Sequence, residues 1–81
     1  MTEPEEASIN KEVDARQQKC PIPILWAKKA LAGMDSGQVL RVLATDPAAV
    51  GDFRFFTQQT GHELLRQTEE AGEYTITLRK K

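Results

Sequence analysis

Two prolines one residue apart, Pro21 and Pro23, constrain this chain more than any other feature. Proline lacks a backbone N–H and clashes with the preceding helical turn, so it is tolerated in the first turn of a helix and excluded from the interior. The run Cys20-Pro21-Ile22-Pro23 therefore marks a loop-to-helix junction, with the helix beginning around Pro21. Downstream, Ile24, Ala27, Leu31 and Met34 fall at the i, i+3, i+7, i+10 spacing of one helical face, while Lys28, Lys29 and Ala32 lie off it. Gly33 and the Asp35-Ser36-Gly37 turn end this helix. Thr45-Asp46-Pro47 repeats the signal, with Asp46 as N-cap and Pro47 at the first helical position. Val50, Phe53 and Phe56 give the second helix its apolar side, with Gly61 as its stop. Phe53, Phe55 and Phe56 are too close in sequence for all three to face inward, so one is expected outside.

The remaining segments read as strands. Lys11 to Arg16 places Val13 and Ala15 on one side. Gln38 to Thr45 is rich in Val and Leu on both sides, interrupted by Arg41, as expected of an inner strand. His62 to Thr68 is a third. Tyr74 to Arg79 is a fourth, with Tyr74, Ile76 and Leu78 on one face and Thr75, Thr77 and Arg79 on the other. Ala71-Gly72 joins the last two as a hairpin turn. The order β-α-β-α-β-β predicts an α/β (α+β) two-layer sandwich, with two helices on one face of a four-stranded mixed sheet. Residues 9–81 form the one expected domain. Met1 to Ser8 is acidic, contains Pro4 and is expected to stay flexible outside it.

Composition narrows the function. The chain has 81 residues, 11 basic and 12 acidic, for a net charge of −1, which lacks the basic footprint of a nucleic-acid binder. Lys80-Lys81 reads as a solvated tail. The single cysteine excludes an internal disulfide, a Cys-x-x-Cys redox pair and a thiolate zinc site within one chain. A lone thiol suits a reducing compartment, and Met1 to Ser8 lacks the apolar core of a signal peptide, so a cytoplasmic location is expected. No apolar run reaches the roughly 20 residues that span a bilayer. No cofactor, metal, direct nucleic-acid contact or membrane contact is expected, and the chain is read as a monomer.

Chemistry concentrates on Cys20. A helix N-terminus presents unpaired N–H groups and about half a positive charge, which favours thiolate over thiol and would also stabilise an anionic persulfide. Lys19 adds a second positive influence, and the two prolines stiffen the turn. These features predict an exposed sulfur near the first-turn amides with a depressed pKa. Free cysteine is also a common core residue, and the pattern of residues alone leaves exposure and burial both open. His62, the only histidine, could serve as a base for a cysteine nucleophile, but a polar residue at a helix-strand junction explains it better. Glu69, Glu70 and Glu73 read as solvated. Lys28 and Lys29 are either a solvated face or a patch that steers an acidic partner.

Asp14-Ala15, Cys20-Pro21-Ile22-Pro23, Ala44-Thr45-Asp46-Pro47 and Gly61-His62-Glu63-Leu64, taken with the element order, resemble the TusA/SirA-like sulfur-carrier family from about Val13 to Lys81. The resemblance implies a persulfide relay. Sulfur from a cysteine desulfurase or rhodanese-type donor would load onto Cys20 and pass to an acceptor protein in tRNA thiolation, cofactor synthesis or sulfur oxidation. Pro21 and Pro23 would shape the helix end, and Asp46 falls in the matching Asp-Pro segment. The family commonly has Gly-Leu in the loop before the motif, where this chain has Gln17-Gln18. Trp26 and Ile22 could also alter partner choice. The competing class is a non-enzymatic interaction or regulatory module in which the helices dock a partner and Cys20 is incidental.

Overall fold

The computed structural model describes residues 9–19 and 21–81; the expectations for Met1–Ser8 and for the exposure of Cys20 lie outside the described residues. The elements are β1 (Ile9–Ala15), α1 (Ile22–Ala32), β2 (Val39–Ala44), α2 (Ala48–Thr60), β3 (Glu63–Glu70) and β4 (Glu73–Arg79). The strands form one mixed sheet in the order β1-β2-β4-β3. β1 runs parallel to β2, with Val13 opposite Val42 and Ala15 opposite Ala44. β4 is antiparallel to both β2 and β3. The predicted architecture is the observed one, and β2 is an inner strand, as its two-sided apolar content requires.

Alternation along the strands sorts side chains onto two faces. Leu40, Val42 and Ala44 of β2 stand beside Leu78 and Ile76 of β4 on the face that the helices cover. α1 contributes Ala27, Ala30, Leu31 and the following Met34, and α2 contributes Ala49, Phe53 and Phe56. Phe53 is fully buried and meets Phe56 edge to face, with ring centroids 6.2 Å apart. Phe55 is the phenylalanine left outside, at 64% exposure. The opposite face sets Val39 and Leu43 of β2 among polar side chains, and its ion pairs include Arg41 with Glu12 at 2.8 Å and Arg79 with Glu63 at 2.9 Å. Thr77, expected on that outer face, is nevertheless buried, because its cross-strand neighbours are the long side chains of Arg41 and Arg66.

Three local expectations change. α1 starts at Ile22 with Pro21 as its cap and Pro23 inside the first turn, one residue later than expected. Gly33 ends α1 at φ −97°, which any residue can adopt, so the helix stop owes nothing to glycine's conformational freedom there. Lys80 and Lys81 are tied down rather than loose. Lys80 exchanges backbone hydrogen bonds with Gly37 and Gln38, its Nζ donates to Met34 O, and Lys81 N–H donates to His62 Nδ1. By contrast, Gly61 ends α2 in the left-handed conformation at φ 85° and returns its N–H to Thr57 O, as predicted.

The two edge strands are each irregular. β1 shifts register between Ile9 and Lys11, where Asn10 Oδ1 accepts the N–H of Val39. β3 shifts between Leu64 and Arg66. The β3-β4 hairpin closes through a two-residue loop in which Ala71 (φ 53°) and Gly72 (φ 82°) both have positive φ, as a type I′ turn requires.

Phe53 fills the space between α2 and the sheet, so Phe53→Ala should cost about 3–5 kcal/mol, a large share of the stability of a domain this small. Urea unfolding monitored by circular dichroism reads this directly; a loss below about 1 kcal/mol would contradict the packing described here. Ala71→Gly should stabilise in the same assay, because alanine pays for the left-handed conformation that glycine adopts freely.

Candidate functional site

Parallel pairing of β1 and β2 brings both strand-to-helix junctions to one end of the sheet. The first is the segment Arg16–Lys19 leading through Cys20 into α1, and the second is Thr45–Pro47 leading into α2. Each residue of the first junction is held by a separate contact. Arg16 forks onto Asp14, with Nε to Oδ1 at 2.9 Å and Nη2 to Oδ2 at 2.8 Å, and its Nη1 lies 3.7 Å from Glu73 Oε2. This fork holds the Asp14 carboxyl down at a pKa of about 2, chiefly through the Arg16 side-chain hydrogen bond. Gln17 takes φ 68°, the left-handed region, and donates its N–H to Thr45 Oγ1 at 2.8 Å. Gln18 N–H reaches back to Ala15 O at 3.2 Å. Lys19 O accepts the N–H of Ile22 at 2.8 Å.

Gln17 carries a Cβ, and an L-residue in the left-handed region costs about 1–2 kcal/mol relative to glycine-like freedom, so conformational strain sits three residues before the cysteine in the sequence.

Pro23 is fully buried at the base of α1, while Pro21 is exposed at its tip. The first turn offers fewer amides than a helix start usually does. Pro21 and Pro23 have no N–H, and that of Ile22 goes to Lys19 O. Ile24 is left as the first-turn amide that neither proline nor the Lys19 carbonyl removes. No acidic residue lies in that turn, so nothing there opposes an anion. At the second junction Asp46 Oδ1 accepts the N–H of Ala48 at 3.0 Å and Pro47 already has helical dihedrals, so Asp46 is the functional cap, as predicted.

The two neighbours of Cys20 in the chain border different clefts. Lys19 lines a shallow one of about 380 Å³ with Gln17, Gln18, Thr45, Asp46 and Pro47. Pro21 lines a more apolar one of about 390 Å³ between the helices, with Ile24, Lys28, Asp52, Phe55 and Phe56. Lys28 thus belongs to the wall of the inter-helix cleft. Lys29, about 100° further round α1, is exposed in its last turn, where a cation complements the helix dipole. Leu25 and Trp26 are also exposed, at 49% and 41%.

His62 stands at the other end of the sheet, beside the start of β3 and the end of β4. Its Nδ1 accepts from Lys81 N–H and its ring lies 5.7 Å from that of Phe56. An Nδ1 acceptor is a neutral imidazole. Burial, followed by the charges of Lys80 and Lys81, pushes its pKa below the usual value. The eleven residues of α1 separate it from the Lys19–Pro21 junction by about 16 Å of helix. Glu69 and Glu73 are exposed but engaged, Glu69 with the Gly72 N–H and Glu73 with Arg16.

Comparison with known proteins adds an independent line of support. The family model for Sulfurtransferase TusA matches residues 11–80. The sulfur carrier protein TusA of Allochromatium vinosum is 50% identical over 74 residues, covering 91% of this chain and 97% of that one. A putative sulfur carrier protein of Neisseria meningitidis serogroup A is 54% identical over 69 residues, covering 85% and 93%. Among solved structures, a SirA-like protein from Desulfitobacterium hafniense superposes with a TM-score of 0.77 at 28% identity, covering 85% of this chain and 95% of that one.

His62 generates a stability prediction. Its folded pKa lies below the unfolded value of 6.5, so the unfolded chain binds the extra proton first. The stability this represents is complete above pH 6.5 and is lost as pH falls through the folded pKa. Urea midpoints should therefore fall on acidification from pH 7, and His62→Gln should flatten that part of the profile. An unchanged slope in the variant would contradict the assignment.

Proposed function

Because the chain belongs to the TusA sulfurtransferase family and is a sulfur carrier, we propose that the sulfur rides on Cys20, loaded from a donor protein's persulfide and passed to an acceptor protein. The observation that carries this reading is that the sequence holds one cysteine. Persulfide chemistry needs a thiolate, and no other side chain of this chain supplies one.

In loading, the Cys20 thiolate attacks the outer sulfur of the donor's Cys–S–SH. A bond forms between Cys20 Sγ and that sulfur as the donor's S–S bond breaks, and the donor thiolate leaves and takes up the proton. In delivery, an acceptor nucleophile attacks the same outer sulfur and the Cys20 thiolate is the leaving group. Both steps are thiol–persulfide exchanges with no net oxidant or reductant. Lys19 and the α1 end lower the cost of the thiolate and of the anionic persulfide, and the absence of an acid in the first turn helps. Pro21 and Pro23 stiffen the approach, and Asp46 fixes the facing junction through its cap on Ala48.

The donor is a cysteine desulfurase or rhodanese-type protein, and the acceptor belongs to tRNA thiolation, cofactor synthesis or sulfur oxidation. The setting is cytoplasmic; no helix among the described residues is long and apolar enough to cross a membrane. Lys28 and Lys29 steer an acidic donor surface, which acts on association rate more than on chemistry.

Intact mass after incubation with a small persulfide should show one added sulfur on the wild type and none on Cys20→Ser, whose fold should be intact because serine is close in size. Sulfur retained and delivered by the serine variant would end this reading. The alkylation rate of Cys20 against pH should give a midpoint below the ~8.5 of free cysteine. The double variant Lys28→Glu, Lys29→Glu should load normally from a small persulfide and more slowly from an acidic protein donor, with the difference shrinking at high salt.

A further inference from the structure

We propose that Thr45 is a positioning residue for sulfur transfer: its hydroxyl holds Gln17 in the left-handed conformation and so fixes the path by which Gln18 and Lys19 lead into Cys20. This inference rests on the reading of Cys20 as the carrier.

The need for such a device follows from the backbone. Gln17 has a Cβ and sits at φ 68°, a conformation that persists in an L-residue only when its surroundings impose it. The parallel ladder that orders β1 and β2 ends at Ala15 opposite Ala44. Beyond it, the 2.8 Å hydrogen bond from Gln17 N–H to Thr45 Oγ1 continues the connection between the two strands, across 28 residues of sequence. The other backbone tie of this segment, Gln18 N–H to Ala15 O at 3.2 Å, is local and longer.

Thr45 is a suitable anchor because its own position is set from both sides. It follows directly from the inner strand β2, and it precedes Asp46, whose carboxylate caps α2 at the Ala48 N–H. The hydrogen bond from Ile22 N–H to Lys19 O fixes the entry into α1. The described residues on either side of position 20 are therefore both constrained, and the long-range backbone tie of the upstream side is the bond to the Thr45 hydroxyl. Thr45 also lines, with Gln17, the cleft that Lys19 borders.

The test uses the full chain and a small persulfide, so that protein docking plays no part. Thr45→Val removes the acceptor. It should slow loading by on the order of tenfold and raise the pH midpoint of Cys20 alkylation, while the mass gain at saturation stays at one sulfur. Thr45→Ser, which keeps the hydroxyl, should restore both readouts. In the Thr45→Val background, Gln17→Gly should recover most of the rate, because glycine adopts the left-handed conformation without help. Gln17→Val, which leaves Thr45 intact and disfavours positive φ, should reproduce the slow loading, and it keeps the test decisive if Thr45→Val fails to fold. Wild-type rates and midpoint in Thr45→Val or in Gln17→Val, or a slow Thr45→Val that Gln17→Gly does not relieve, overturn the proposal. Failure of the carrier reading itself is separately visible as sulfur retained by Cys20→Ser.

Discussion

The parallel registration of β1 against β2 is the interaction on which the rest of the structure depends. Parallel neighbours cannot be joined by a tight turn, so the chain must cross over through α1 before β2 begins. Because both strands then run the same way, the segments that leave them emerge at the same end of the sheet. The prolines at Pro21, Pro23 and Pro47 mark where each emerging chain turns into a helix. Had β2 been antiparallel to β1, the Thr45–Pro47 junction would lie at the opposite end, and Gln17 would have nothing to bond.

Small side chains make this arrangement compact. Ala15 and Ala44 lie side by side where the strands end, and Ala27, Ala30 and Ala49 bring the helices close to the sheet. Phe53 supplies the bulk that this alanine-rich layer lacks, with Phe56 packed against it. The consequence at the surface is that Phe55, one residue from Phe56, must face outward beside Lys28 and Asp52. An apolar wall thus stands next to Pro21 because the core on the other side of α2 takes two phenylalanines.

The fold was legible in the sequence because its signals are chemical and local. Proline's missing N–H, the i, i+3, i+7 stripe of α1, the alternation in β4 and the two-sided apolar content of β2 each specify one element. The Asp46 cap was legible for the same reason, as was the outward turn of one phenylalanine. What could not be read were relations between residues far apart in the chain. The bond from Gln17 to Thr45, the burial of Thr77 between Arg41 and Arg66, and the anchoring of Lys80 and Lys81 by Met34 and His62 depend on which strands become neighbours. The Arg16 fork on Asp14 is the intermediate case. Residues two apart in a strand share a face, so the pair could have been noticed, although its reach to Glu73 could not. The first turn of α1 corrects a general expectation, since the prolines that mark the helix start also strip it of amides.

The irregularities of β1 at Asn10 and of β3 at Leu65 fall on the two strands that form the edges of the sheet among the described residues. Regular strands with open edges act as templates for one another, and a protein with two of them can zip into chains of copies. A displaced residue breaks the spacing that such zipping needs, and the inner strands, with both sides occupied, have no use for one. For a carrier that must meet other proteins and let them go, this matters: its sheet edges are poor templates for pairing with a second copy.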